Sequence, residues 1–137
     1  MNILVTGATG FIGKHLVREL NRTHCVHILV RPSSKWTDLG VEHCVEFNGD
    51  IEFLANYLKT NAIEGIIHLA SLYIAEHKPS QIKELLMSNI YLGTALLEAA
   101  KIAGIRWFLN TGTIWQNHNS PDYADEYNPV NLYAATK

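Results

Sequence analysis

Short apolar runs rich in β-branched residues alternate along this chain with longer segments in which apolar positions recur every three or four residues. That alternation predicts repeated βαβ units around a parallel sheet. Asn2 to Thr6 is expected as the first strand, continuously apolar as a strand covered on both faces should be. Phe11 to Asn21 reads as a helix with Ile12, Val17 and Leu20 near one face. Val26 to Val30 is a second strand, and Arg31 to Leu39, with Pro32 and two serines, a polar, exposed connection. Cys44 to Phe47 is a third strand, Ile51 to Thr60 a helix capped by Asp50, and Gly65 to Ala70 a fourth strand. A long helix runs from about Pro79 to Ala103, with Pro79 near its first turn and Gly104 just past its end. Arg106 to Asn110 is a fifth strand. Thr111 to Asn128 is turn-rich and polar, and Pro129 opens another helix that the chain end cuts off, which reads as truncation of a longer protein before its substrate domain.

The 137 residues suffice for one domain with a hydrophobic core. A formal net charge of -2 gives no reason to expect nucleic acid or an anionic membrane as partner. Glu98 and Lys101 interrupt the longest apolar region, so no membrane span is expected. The opening Ile3-Leu4-Val5 is too short for a secretory signal. Cys25 and Cys44, the only two cysteines, lie in apolar runs and read as reduced, buried thiols. A cytoplasmic location fits all of this. None of the seven histidines stands in a metal-ligand spacing with another. His24 and His27, at the start of a strand, read as structural, and no metal is expected.

Gly7-Ala8-Thr9-Gly10-Phe11-Ile12-Gly13 joins the first strand to the first helix. Glycines at such a junction allow a sharp turn, close approach of backbone to a pyrophosphate, and tight packing of helix on strand. The N–H groups and dipole at the helix start then favour phosphate. The stretch Thr6-Gly7-Ala8-Thr9-Gly10-Phe11-Ile12-Gly13 resembles the fingerprint of extended short-chain dehydrogenases, in their nucleotide-sugar (NAD-dependent epimerase/dehydratase) branch. The resemblance covers essentially the whole chain. It implies a Rossmann-like, doubly wound parallel sheet in three α/β/α layers, with a dinucleotide held by Gly7, Thr9, Gly10, Phe11, Ile12 and Gly13.

Eighteen residues beyond Gly13, where an NAD enzyme usually presents a carboxylate to the ribose, stands Arg31, followed by Ser33, Ser34 and Lys35. A guanidinium and hydroxyls suit a 2′-phosphate, so NADP(H) is expected, with NAD(H) the alternative. The resemblance further implies adenine contacts from Asp50 and Ile51, a turn beside ribose and pyrophosphate at Leu69, Ala70 and Ser71, and a place for Asn89 among the cofactor-side residues. An amide within an apolar helix needs partners, and Asn89 is expected to hold neighbouring backbone beneath the active site. A homodimer through two helices, one around Gln81 to Ala103, is also implied.

Tyr133-Ala134-Ala135-Thr136-Lys137 has the form Tyr-x-x-x-Lys, which on a helix places phenol and ammonium on one face. A free tyrosine keeps its proton to about pH 10, and a lysine charge nearby favours the phenolate. Such a group accepts a proton from an alcohol or donates one to a carbonyl. The resemblance gives Lys137 a further bond to the nicotinamide ribose and places the substrate-orienting hydroxyl at Thr111, with Thr113 as substitute; Trp115-Gln116 departs from the family's usual Tyr-Gly. These readings imply an oxidoreductase or epimerase acting on a nucleotide-linked sugar by hydride transfer. A 4-ketosugar reductase resembling abequose and paratose synthases is one form, and an epimerase or dehydratase with tightly held NAD another. The competing class is a non-catalytic module that senses NADP(H).

Overall fold

A computed structural model describes residues 1–117 and 126–137. The predicted polar stretch between Thr111 and Asn128 therefore lies partly outside the described residues. The chain gathers into two compact units: Met1–Ala70 with Thr94–Asn110, and Ser71–Gly93 with Thr111–Lys137.

The first unit is built on strands β1 (Asn2–Thr6), β2 (Cys25–Val30), β3 (His43–Glu46), β4 (Gly65–His68) and β5 (Trp107–Asn110). They form one sheet in the order β3-β2-β1-β4-β5, and every pairing is parallel. Helix α1 (Phe11–Leu20) connects β1 to β2, and α2 (Ile51–Thr60) connects β3 to β4. Side chains alternate across a strand. One face of the sheet gathers Ile3, Val5, Val26, Ile28, Val30 and Ile67 around Val17 of α1. The opposite face carries Leu4, His27, Leu29 and Ile66, all buried, and there His27 Nδ1 meets Tyr57 Oη of α2 at 2.8 Å. Helices thus cover both faces, as expected for a doubly wound sheet. Beside β4, the position where Gly65 would carry a Cβ is filled by the Trp107 indole, 1.9 Å away.

Within this unit the element bounds agree with the sequence pattern at β1 and α2 and lie within two residues of it at α1, β2, β3, β4 and β5; three expectations are corrected. Ile12 is 65% exposed; the buried line of α1 runs instead through Gly13 and Val17, with Leu16 and Leu20 packed beside them. Cys25 is exposed and Cys44 only half-buried, because Cys25 opens β2 at the sheet margin. Strand β4 ends at His68 rather than Ala70, since Ala70 N–H donates to the Thr6 hydroxyl at 3.1 Å and not to a strand carbonyl.

The second unit holds helix α3 (Ile82–Leu86), preceded by a 3-10 turn at Pro79–Gln81 and followed by a π turn over Met87–Tyr91. Helix α4 (Leu92–Ala103) continues this run and passes into the first unit, where it buries Ala95, Leu96, Ala99 and Ala100. The expected single long helix is thus three helical geometries in succession. Helix α5 is short, Leu132–Ala135, and starts after Pro129 because Asn131 is extended and caps it, accepting from Ala134 N–H at 2.8 Å.

Candidate active site

In the first unit every sequence-predicted cofactor residue follows the C-terminal end of a strand. Gly7 to Gly13 follow β1, Arg31 follows β2, Asp50 and Ile51 lie beyond β3, and Leu69 and Ala70 follow β4. In a parallel sheet these positions share one edge. The order reverses direction between β1 and β4, and the crevice outside the strand ends at such a switch point is where dinucleotides sit in sheets of this kind.

The glycine loop makes a cradle there. Gly7 has φ +71°, and a Cβ on it would lie 2.7 Å from Ala70 N and 2.9 Å from Leu69 C. A Cβ on Gly13 would lie 2.1 Å from Gly7 O, so α1 can rest on its own loop only with glycine at this place. Gly10 N–H donates to Gly7 O at 3.0 Å, and Gly10 caps α1 with no side-chain acceptor. The helix start therefore presents backbone donors and its positive dipole end without a built-in anion, the condition for holding a phosphate. Phe11 and Ile12 stand 84% and 65% exposed beside it, apolar surface suited to a ligand. Beneath the loop, Thr6 Oγ1 and His68 Nδ1 are hydrogen-bonded at 2.7 Å, both buried. Thr6 also accepts from Ala70 N–H. This pair joins the two strand ends that flank the switch point. Thr6 opens the fingerprint stretch, but its pairing with His68 is not legible in the sequence because it links positions 62 apart in the chain.

Arg31 is exposed, and among the described residues it makes no ion pair. Asp50 does cap α2, accepting from Phe53 N–H at 2.9 Å, and Ile51 is the first helical residue.

In the second unit the Asn89 amide, on the π turn, accepts from Leu72 N–H at 2.7 Å and donates to Leu72 O at 3.0 Å and Thr136 Oγ1 at 3.0 Å. It holds backbone, as expected of it. A π turn is a frequent marker of functional sites, since its extra residue redirects one side chain out of the helical repeat. Thr136 Oγ1 donates in turn to Tyr133 O at 2.9 Å, so Asn89 ties the segment after Ser71 to the Tyr133 helix. The Tyr133 ring is met edge-on by Tyr73, at 5.0 Å between centroids, and by Trp115, at 6.3 Å. Aromatic neighbours at these angles fix a ring's plane. Tyr73 was not singled out from sequence; Trp115 was, as a departure from the family pattern.

Lys137 lies beyond the end of α5, and its N–H bonds Ala134 O, three residues back. One helical face for Tyr133 and Lys137 requires a regular helix through both, whereas α5 ends at Ala135 and the turn tightens before reaching Lys137. Burial lowers the Lys137 ammonium from its ordinary value of 10.5. Thr111 follows β5 and is half-buried. The Thr113 hydroxyl accepts from Trp115 N–H at 3.4 Å as the cap of the turn Ile114–Gln116.

Comparison with known proteins is decisive for the family. The profile of the NAD dependent epimerase/dehydratase family matches residues 3–137. The chain belongs to this family. Among epimerase/dehydratase relatives, the Arabidopsis thaliana trifunctional UDP-glucose 4,6-dehydratase/UDP-4-keto-6-deoxy-D-glucose 3,5-epimerase/UDP-4-keto-L-rhamnose-reductase is 31% identical over 160 residues, covering 99% of this chain and 23% of that protein. CDP-abequose synthase of Salmonella muenchen is 29% identical, over 98% of this chain and 43% of its own length. Among solved structures, the UDP-glucose-4-epimerase of Stenotrophomonas maltophila, with bound NAD and formylated UDP-arabinopyranose, superposes with TM-score 0.78 at 25% identity, covering 100% of this chain and 45% of that one. The chain spans less than half the length of these three family members.

Proposed function

We propose that this chain is the dinucleotide-binding part of an enzyme that acts on a nucleotide-linked sugar, with NADP(H) as the preferred cofactor. The observation that carries the reading is the cradle of Gly7 and Gly13 at the switch point, where a Cβ at either glycine would strike backbone. Backbone donors at the start of α1 would hold the pyrophosphate, Leu69 and Ala70 line its approach, and Ser71 and Asn89 belong to the same expected set. Asp50 and Ile51 take the adenine end, and Arg31 takes a 2′-phosphate. The bound nicotinamide supplies a donor or acceptor of hydride.

Tyr133 serves as acid and base at the sugar oxygen: its phenol gives a proton to a carbonyl oxygen or takes one from an alcohol. Lys137, as a cation, favours the form of the phenol that has lost its proton. Thr111 orients the substrate oxygen. Tyr73 and Trp115 hold the phenol ring in one plane.

Within this class the reading is a 4-ketosugar reductase, supported by the similarity to CDP-abequose synthase and by the basic residue after β2. The epimerase reading is supported by the similarity to an epimerase whose structure holds NAD. Stoichiometry separates them: net consumption of NADPH by the intact protein with a 4-keto sugar nucleotide is the expected result, and turnover without net consumption identifies an epimerase or dehydratase. Fluorescence titration of this chain with NADPH and NADH tests cofactor binding separately from the chemistry, and failure to bind either sinks the proposal. Tyr133→Phe is expected to lower kcat at least about a hundredfold with cofactor binding kept; a non-catalytic sensor would show no turnover to lose.

A further inference from the structure

At the opposite edge of the sheet from the glycine loop, three side chains that can ligate a metal converge. Cys25 and His27 are two apart on β2 and so share a face, and parallel pairing sets His43, the first residue of β3, directly beside His27. The Cys25 sulfur and the nearest imidazole nitrogens all lie within 4.8 Å of one another. Cys25 Sγ stands 3.6 Å from His27 Nε2. An ion bound to both at the usual zinc distances with a tetrahedral angle requires a separation of about 3.6 Å.

From this juxtaposition we propose that Cys25, His27 and His43 form a site for a zinc-class ion, with its fourth position open to water. His27 is oriented for the task. In the tautomer with the proton on Nδ1, that N–H donates to Tyr57 Oη at 2.8 Å, and Nε2 turns its lone pair toward the thiol. A polar partner on the far nitrogen is the usual support for a ligating histidine. Burial, and after it the charge of His43, pushes His27 down to about 4, so the ring is neutral and able to ligate at physiological pH. Burial likewise pushes Tyr57 up to about 12, keeping its hydroxyl protonated. The rings of His27 and His43 are stacked, 4.3 Å apart and 12° from parallel, and two parallel rings cannot both hold one ion in their planes. His43 is exposed on an edge strand, and it is the ring that turns on binding. Sequence spacing could not disclose the set, because the third ligand comes from a neighbouring strand through pairing.

The test is titration of the reduced chain with Co(II), a coloured stand-in for zinc, followed by displacement with Zn(II). The expected result is one equivalent bound with a thiolate-to-cobalt charge-transfer band and tetrahedral ligand-field bands. Cys25→Ser should abolish the charge-transfer band and His43→Ala should weaken binding at least about tenfold. Both residues lie at the surface, and circular dichroism confirms that the variants fold. Cys44→Ser and His24→Ala should change nothing, since neither belongs to the cluster. Zn(II) should also raise the Tm of the parent chain and not that of Cys25→Ser. Absence of the band at one equivalent, its persistence in Cys25→Ser, or its loss in Cys44→Ser overturns the proposal.

Discussion

Asn89 turns both ends of its amide onto the backbone of Leu72, and the same residue shows what a sequence can reveal about a single side chain. An amide in an apolar helix must find partners, so a backbone-holding role was legible; which backbone it held was not, because Leu72 and Thr136 lie 17 and 47 positions away. Asn89→Leu removes the partner of two backbone groups, and we expect it to cost about 1–3 kcal/mol in urea unfolding, with Asn89→Asp, which keeps the acceptor, costing less. Arg31→Ala should weaken NADPH binding about tenfold and leave NADH binding nearly unchanged; equal losses for both would assign Arg31 no role at the 2′-phosphate. Lys137 gives a prediction with a definite sign. Burial lowers its value from 10.5, so the unfolded chain binds this proton more tightly and the charged form costs stability below the folded value. That cost disappears as pH rises through the folded value toward 10.5. Lys137→Met should therefore raise the urea midpoint at pH 7, with the gain shrinking at higher pH; a gain that grows with pH would contradict the burial account.

At the scale of elements, the apolar rhythm located the five strands, α1 and α2 to within two residues, because strands covered on both faces read as unbroken apolar runs. The cap of α2 was also legible. Asp50→Ala should cost about 1 kcal/mol, measured by thermal unfolding. The π turn at Met87–Tyr91 was not legible, since one wider turn leaves the apolar repeat on either side looking like a single helix. The short α5 was misjudged for a related reason: Pro129 is a good first helical residue, but the extended Asn131 starts the helix later. Gly13 carries the strongest elemental constraint. In Gly13→Ala the new methyl meets Gly7 O, a backbone atom with nowhere to move, so α1 must lift from its loop. Loss of dinucleotide binding with the sheet's circular dichroism retained is the expected outcome.

For the molecule as a whole, alternation of strands and helices already implied a parallel sheet, and the glycine loop fixed which strand stands at its switch point. The division into two units was beyond the pattern, because it depends on contacts between distant segments rather than on local rhythm. So was the gathering of Tyr73 and Trp115 around Tyr133, which ring packing alone discloses. Trp107 offers a way to watch the assembled sheet. Its indole occupies the space that any residue larger than glycine would fill at position 65, so a fluorophore is wedged at the seam between the outermost strand and its neighbour. With Trp36 and Trp115 replaced by phenylalanine, detachment of that strand would wet the remaining indole and redden its emission before the rest of the ladder opens, an internal optical gauge for how the sheet's margin frays.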